Sequence, residues 1–313
     1  MKEKDQMKQN DIYQAVTDQI INLLESHETG GWKQPWIALG ADNAPARNAT
    51  TDKTYRGINQ FLLGMTLVHR KYLKNQWLTF KQAKDQGATV KKGEKSSPIV
   101  FTKPSYVTKD NEFISADKVG ELTKEQAQAQ GLKKIFMLKL YRVFNVAQTE
   151  GLDPEFYHVE PQEPLPEFER NERAETLIHS TDAKIEIIES NEAFYNPTLD
   201  KIQLPLRAQF KGTEPFYATA THELAHWTGH PSRLNRDLKN KFGDASYAKE
   251  ELVAELTSAF LCASLGFEKT ITQNAAYLKG WLGKLKQDNK AIIKASNQAQ
   301  KASDYILAFT PQE

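Results

Sequence analysis

A single cysteine, Cys262, leaves nothing to pair into a disulfide framework, which fits a reducing compartment. It lies in the apolar run LTSAFLCASLG and reads as a small buried hydrophobe. No stretch has the apolar length of a membrane helix, and the polar start MKEKDQMKQN lacks the apolar centre of a signal peptide. The expectation is a soluble, cytoplasmic protein with no membrane partner. Net charge is nearly absent as well, at +1, so the overall balance names no partner. Internal repeats are missing, which excludes solenoids and arrays. What is present is 313 residues with 39% hydrophobic content, enough for real cores and for two domains.

Proline and acid are concentrated in one place. Between Glu150 and Glu175 there are nine acids against two bases, with Pro154, Pro161, Pro164 and Pro166 in the same window. Like charges and prolines favour extended chain. A linker is placed at 151–170, between a first domain over 1–150 and a second over 171–313. In the first, residues 1 to about 9 are expected to fray. DIYQAVTDQIINLLES and INQFLLGMTLVHRKYL have helical spacing, the former ending at Gly30 and Gly31. WLTF, SSPIVFTKPSY and KKIFMLKLYRVFNV read as strands, with a short helix from Thr79 to Gly87, so the class is α+β. The second begins with a helix near 171–180, then AKIEIIES and a hairpin in AFYNPTLDKIQLP turning at Asn196 and Pro197. Helices follow around His222, over 247–265, and at 270–286 and 288–307.

The stretch ATATHELAHWTGHPSRLNR carries chemistry. His222 and His226 are four apart and share one face of a helix, so both can grip one ion. Glu223 lies beside them, placed to take a proton from a metal-activated water. Gly229 supplies the stop of this helix. A catalytic zinc needs three protein ligands and an open position. In YAKEELVAEL, Glu251 and Glu255 are again four apart, and Glu251 lies 25 residues after His226. Glu251 is the favoured third ligand. Glu255, in an otherwise apolar stretch, either orients a ligand histidine or is itself the ligand. Glu250 is expected in solvent. A third histidine six residues after the second is ruled out, because Ser232 stands there, and His230 is read as a loop residue. Zn2+ is the expected metal, with Mn2+ or another divalent ion as the alternative.

The first half is basic. From Lys53 to Lys103 there are eleven bases and two acids, a balance of +9. Rings are interleaved: Tyr55, Tyr72, Trp77, Phe80 and Phe101, with Trp32 and Trp36 upstream. Cations that track phosphates and rings that stack on bases suit single-stranded DNA. The residues expected to carry it are Lys53, Tyr55, Arg56, Trp77, Lys81, Lys84, Lys91 and Lys92. The same composition also describes a core with a lysine-rich face. No major-groove motif or zinc finger is visible.

The HExxH run followed by a glutamate on a later helix resembles the gluzincin type of metallopeptidase. That resemblance implies an edge strand beside the active helix to hold an extended substrate, drawn from about 184–206, for instance DKIQLP. Tyr217, Tyr247 and Arg233 are the residues considered for the oxyanion. Across nearly the whole chain, YQAVTDQIINLLE, GWKQPW, TYRGIN, WLTFKQAKDQGATVKKGEKSSPIVF, LYRVFNVAQ, ATATHELAHWTGHPSRLNR and YAKEELVAEL resemble, in order, the ArdC-type antirestriction proteins of conjugative plasmids. The resemblance implies a single-stranded DNA-binding domain joined to a zincin-like metallopeptidase domain, protecting incoming DNA from host restriction. It leaves the protein substrate unknown. Two other functions stay open: a DNA-coating protein with a structural metal site, and a DNA-tethered protease of a regulator or a DNA-crosslinked protein.

Overall fold

A computed structural model of the chain describes residues 3–25, 41, 44–159, 167–238, 245–266, 283 and 286–310. Trp32, Trp36, the expected helix stop at Gly30 and Gly31, and all but residues 283 and 286 of the expected helix over 270–286 lie outside them.

The first unit runs α1 (Glu3–Glu25), β1 (Arg47–Asn48), α2 (Ile58–His69), β2 (Gln76–Thr79), α3 (Phe80–Asp85), β3 (Thr89–Val90), β4 (Ser97–Val107), β5 (Phe113–Ser115), α4 (Ala116–Val119), α5 (Lys124–Ala129), β6 (Lys133–Asn145) and β7 (Thr149–Glu150). Five strands form a sheet in the order β1-β2-β6-β4-β5, with only β1–β2 parallel, while β3 and β7 form a separate ribbon. The long pair β4–β6 runs from Ser97↔Val143 to Val107↔Lys133 and is the spine of this sheet. Thr79 caps α3 by accepting from Gln82 N–H while the Gln82 side chain returns to Thr79 N–H, which fixes the strand-to-helix corner. The helix α1 starts at Glu3 rather than after a frayed stretch, since nothing from Glu3 to Asn10 is Gly or Pro.

Residues 151–158 were expected in extended chain. They instead fold back onto the first unit through α6 (Pro154–Tyr157). Leu152 is buried with Leu78 and Val146, and Tyr157 Oη accepts from Leu152 N–H at 3.1 Å. An apolar anchor and a satisfied phenol outweigh the local prolines there.

The second unit runs α7 (Glu167–Ser180), β8 (Lys184–Ile188), β9 (Phe194–Asn196), β10 (Lys201–Pro205), α8 (Thr213–Thr228), α9 (Ala245–Ser264) and α10 (Ala291–Leu307). Its sheet has the order β8-β10-β9, with β10 parallel to β8 and antiparallel to β9. The expected edge strand DKIQLP is therefore corrected: it forms β10, in the centre of the sheet. Ile202 and Leu204 share one face and are buried against Phe216 and Leu224 of α8, while β8 and β9 pair with its two edges.

The two units share a core. Val16 and Ile20 of α1, Phe61 and Leu62 of α2, Val253 and Leu256 of α9 and Ile292 of α10 belong to one buried cluster. Between α8 and α9 the contact is made by small residues: Thr221 and Ser258 hydroxyls meet at 2.7 Å, and Ser258 donates to Ala218 O. Cys262 is fully buried beside them. Small side chains let the two helices approach closely, which brings their polar faces together one turn further on.

Candidate metal centre

The helix α8 delivers His222, Glu223 and His226, and α9 delivers Glu250, Glu251 and Glu255. His222 Nε2 and His226 Nε2 are 3.2 Å apart. Glu251 reaches both, at 3.6 Å from His222 Nε2 and 3.4 Å from His226 Nε2. Ligands about 2.0–2.2 Å from one ion at tetrahedral angles are about 3.3–3.6 Å from each other. The two nitrogens stand close to that spacing, Glu251 turns Oε2 to His222 and Oε1 to His226, and nitrogen, nitrogen and carboxylate oxygen suit a divalent ion. Among the described residues this is the one group of three or more histidine, cysteine or acidic side chains spaced for a metal.

The outer nitrogens are held as well. His222 Nδ1 lies 3.3 Å from Glu255 Oε1, and His226 Nδ1 lies 3.2 Å from Glu250 Oε1. Each bond fixes a ring's rotation and tautomer and aims its Nε2 at the third donor. Glu250 is therefore not solvated, as its sequence position suggested, but buried. Arg236 explains how a carboxylate is tolerated there. Its Nε and Nη2 donate to the two Glu250 oxygens at 2.9 and 2.8 Å, and it also donates to Ala225 O and to Thr228 Oγ1. Gly229 serves this clamp. The helix does end there, but with φ −75°, not in a left-handed cap. A Cβ on Gly229 would sit 2.9 Å from Leu238 Cδ2, 3.0 Å from Arg236 Nη2 and 3.0 Å from His226 O, so a larger residue there would push on the clamp.

Burial opposes charge on these groups, and their mutual bonds override it. Desolvation works against both imidazolium forms, but Glu251 and Glu255 raise the His222 pKa, and Glu250, Glu251 and the Glu223 charge push His226 up to about 10. Burial likewise opposes ionisation of Glu250 and Glu251, yet the histidines and, for Glu250, Arg236 hold both carboxyls below the ordinary range.

The site opens into a cleft of about 390 Å³ lined by His222, Glu223, His226, Glu251, Tyr247 and, on the opposite wall, Phe194 and Tyr195 of β9. The edge strand beside the active helix is thus β9. Glu223 is buried at the cleft wall. Of the three residues weighed for the oxyanion, Tyr247 alone lines the cleft. Tyr217 is buried elsewhere, donating to Glu175 at 2.5 Å, its phenol pushed up to about 12 by burial and that carboxylate. Arg233 is committed to Asp200, Tyr195 Oη and Trp227 O, and its guanidinium stacks 4.2 Å above the Trp227 ring. This network pins the β9–β10 turn to the end of α8, a role the sequence did not reveal. His230 bonds Ser232 Oγ at 2.7 Å, as a loop residue.

The residues expected at DNA divide. Trp77 is fully buried and donates Nε1–H to Asn75 Oδ1, so it is core and offers no stacking face. Tyr55 is 7% exposed, in the same cluster, with Oη accepting from Asn48. Trp77 and Leu78 are both buried at the centre of β2, and Tyr55 turns inward in the loop before α2. Lys53, Arg56, Lys81, Lys84, Lys91 and Lys92 are exposed, with Lys81 paired to Asp85 and Lys91 donating to Ala147 O. In the first domain the exposed phenylalanines among the described residues are Phe80, Phe101 and Phe136, the last of which the sequence did not single out.

A two-histidine, one-glutamate site between two helices, beside a three-stranded sheet, defines a zincin-like domain, here joined to an α+β domain. Residues 172–298 match the model of a zincin-like metallopeptidase, and residues 10–144 match that of the N-terminal domain of anti-restriction factor ArdC. The chain is similar to the antirestriction ArdC protein from the R388 plasmid, solved metal-free (35% identity, TM-score 0.72) and Mn(II)-bound (33%, 0.72). Both comparisons cover 96% of this chain and 98% of the other. It is 35% identical to the uncharacterized protein y4eC of Sinorhizobium fredii over 95% of this chain and 92% of that one. Two DNA primases TraC of Escherichia coli are 37% and 36% identical over 96% of this chain, which spans only 27% and 20% of their length. The chain belongs to the ArdC antirestriction family. None of its described helices is long and apolar enough to cross a membrane.

Proposed function

We propose that this chain is a single-stranded DNA-binding metallopeptidase of the cytoplasm that protects incoming plasmid DNA from host restriction. The observation that carries the reading is the convergence of His222, His226 and Glu251, with ligand atoms within 4.8 Å of one another, in a cleft that also holds Glu223. The division we propose is a DNA-binding domain (1–150), onto which residues 151–158 pack, a linker in the rest of 151–170, and a peptidase domain (171–313).

His222, His226 and Glu251 would hold Zn2+, or Mn2+ in its place. A divalent ion there supplies Lewis acidity, lowering the pKa of a coordinated water and polarising a peptide carbonyl. Glu223 accepts the proton of the attacking water and passes it to the departing amine. Glu255 and Glu250 keep the two imidazoles turned to the ion. The β9 edge aligns an extended polypeptide, and Tyr247, one turn before Glu251 on the same face of α9, donates to the carbonyl oxygen as charge develops there. The exposed lysines of the first domain keep the cleft near DNA and raise the local concentration of protein targets on it.

One observation favours a second reading. The helix α9 buries its other face in the core shared by both units, so a metal on Glu251 would also brace the fold. Digestion of a denatured protein such as casein, with DNA and Zn2+ or Mn2+ added, decides between them. Cleavage by the wild type that Glu223→Gln abolishes supports the peptidase. No products from either favours the structural metal, and equal products from both removes Glu223 from the proposed role.

A further inference from the structure

A cavity of about 570 Å³, distinct from the metal cleft, lies where the two units meet. Its walls are the Thr51–Arg56 loop, the start of α2, residues 99–102 of β4, and Ile293 and Asn297 of α10. We propose that it receives one nucleotide of a single-stranded DNA, with the base against Phe101 and the phosphate on Lys53 and Arg56. This rests on the DNA-binding reading above and adds the place, the residues and the share taken by the second unit.

Among the described residues that line the cavity, Lys53 and Arg56 are charged and none is a carboxylate. Lys53 is exposed and pairs with no described acid. Arg56 is held by Asp304 of α10 at 2.5 Å, in a bridge exposed on both sides. Such a bridge is weak in water and gives way to a phosphate.

The floor is apolar, made by Ile99, Val100, Leu138 and Ile293, all buried. At its edge Phe101 is 45% exposed and leans edge-to-face on Tyr141, at 5.7 Å between ring centres. A half-exposed ring braced by a second ring is a platform on which any base stacks.

Polar groups to meet the base edge come from two elements. The strand β5 pairs only with residues 105–107 of β4, so residues 97–104 have β6 on one side and no strand on the other. Along this free edge Pro98 and Pro104 have no N–H, and both backbone groups of Val100 are taken by the Asn59 amide, at 2.8 Å each. Thr102, two residues on, turns its N–H and C=O to the same side, into the cavity. Asn297 adds an exposed amide with no described partner. The prolines leave one free backbone pair, too short a ladder for a peptide strand but sufficient for one base. Gly57 lets α10 close the site: its N–H donates to Gln300 Oε1 at 2.8 Å, and a Cβ there would stand 3.4 Å from Ser296 Oγ.

The test is fluorescence anisotropy of labelled oligothymidylate on the full chain. Phe101→Ala should weaken binding about 10-fold or more. Asn297→Ala, on an exposed residue of the peptidase domain whose truncation leaves the fold intact, should weaken it several-fold. Asp304→Asn should tighten it by freeing Arg56 for phosphate. Wild-type binding that none of the three changes overturns the pocket, as it would if a polypeptide were the occupant, and leaves DNA binding standing. No binding by the wild type overturns both.

Discussion

Replacing Glu250 by alanine should damage both the fold and the metal centre. Its carboxylate is buried, takes two charge-assisted bonds from Arg236 and sits 3.2 Å from His226 Nδ1. Removing one partner of a buried ion pair costs about 3–5 kcal/mol, because the other charge stays behind unpaired. Arg236 keeps its bonds to Ala225 O and Thr228 Oγ1, so the low end applies, about 3 kcal/mol. For a chain of this size that lowers Tm by about 5 °C in the metal-free protein. Loss of the bond to Nδ1 frees the His226 ring and should weaken metal binding about 10- to 100-fold, read by competition with a chromogenic chelator. Glu250→Gln keeps one acceptor and should fall between wild type and alanine on both readouts. Unchanged Tm and unchanged affinity in Glu250→Ala would refute the clamp.

Three further predictions follow from the same geometry. In the metal-free protein the raised His222 and His226 pKa values contribute stability that is full below 6.5 and fades as pH rises towards about 10. The lowered Glu250 and Glu251 values contribute stability present above 4.5 and lost as pH falls below it. Thermal melts across pH should therefore decline on both sides, and metal binding at neutral pH should release protons from the histidines, measurable by calorimetry in buffers of different ionisation enthalpy. Tyr247→Phe should retain metal but lower kcat on a cleavable protein about 100-fold, whereas unchanged kcat would remove it from the oxyanion role. Gly57→Ala, at φ 55°, should cost about 1–3 kcal/mol in a denaturant melt; no loss would mean that the backbone does not hold that left-handed conformation ahead of α2.

The convergence of the candidate metal donors His222, His226 and Glu251 was legible because helical spacing is local: residues four apart share a face, and both halves of the site use that rule. The strands β4 and β6 were legible for a similar reason, being long and rich in branched and aromatic residues. Glu250 was not. An acid next to a ligand in sequence faces a different side of the helix, and only the loop carrying Arg236, 14 residues earlier, turns that side into an interior. Trp77 and Tyr55 were misplaced because composition counts rings without saying which face of a strand or loop they take. The apolar face of α9 announced that it would be buried, but not that its partners would be α1 and α2 from the other end of the chain. Contacts that join distant segments leave no local period to read.

The most direct test of the central claim is plasmid protection in a restricting recipient, comparing wild type with Glu223→Gln after verifying that the variant still binds metal and single-stranded DNA. If cleft chemistry is the function, Glu223→Gln loses protection. Full protection by Glu223→Gln would contradict that account and place the function in DNA binding, with His222, His226 and Glu251 holding a metal that serves the fold.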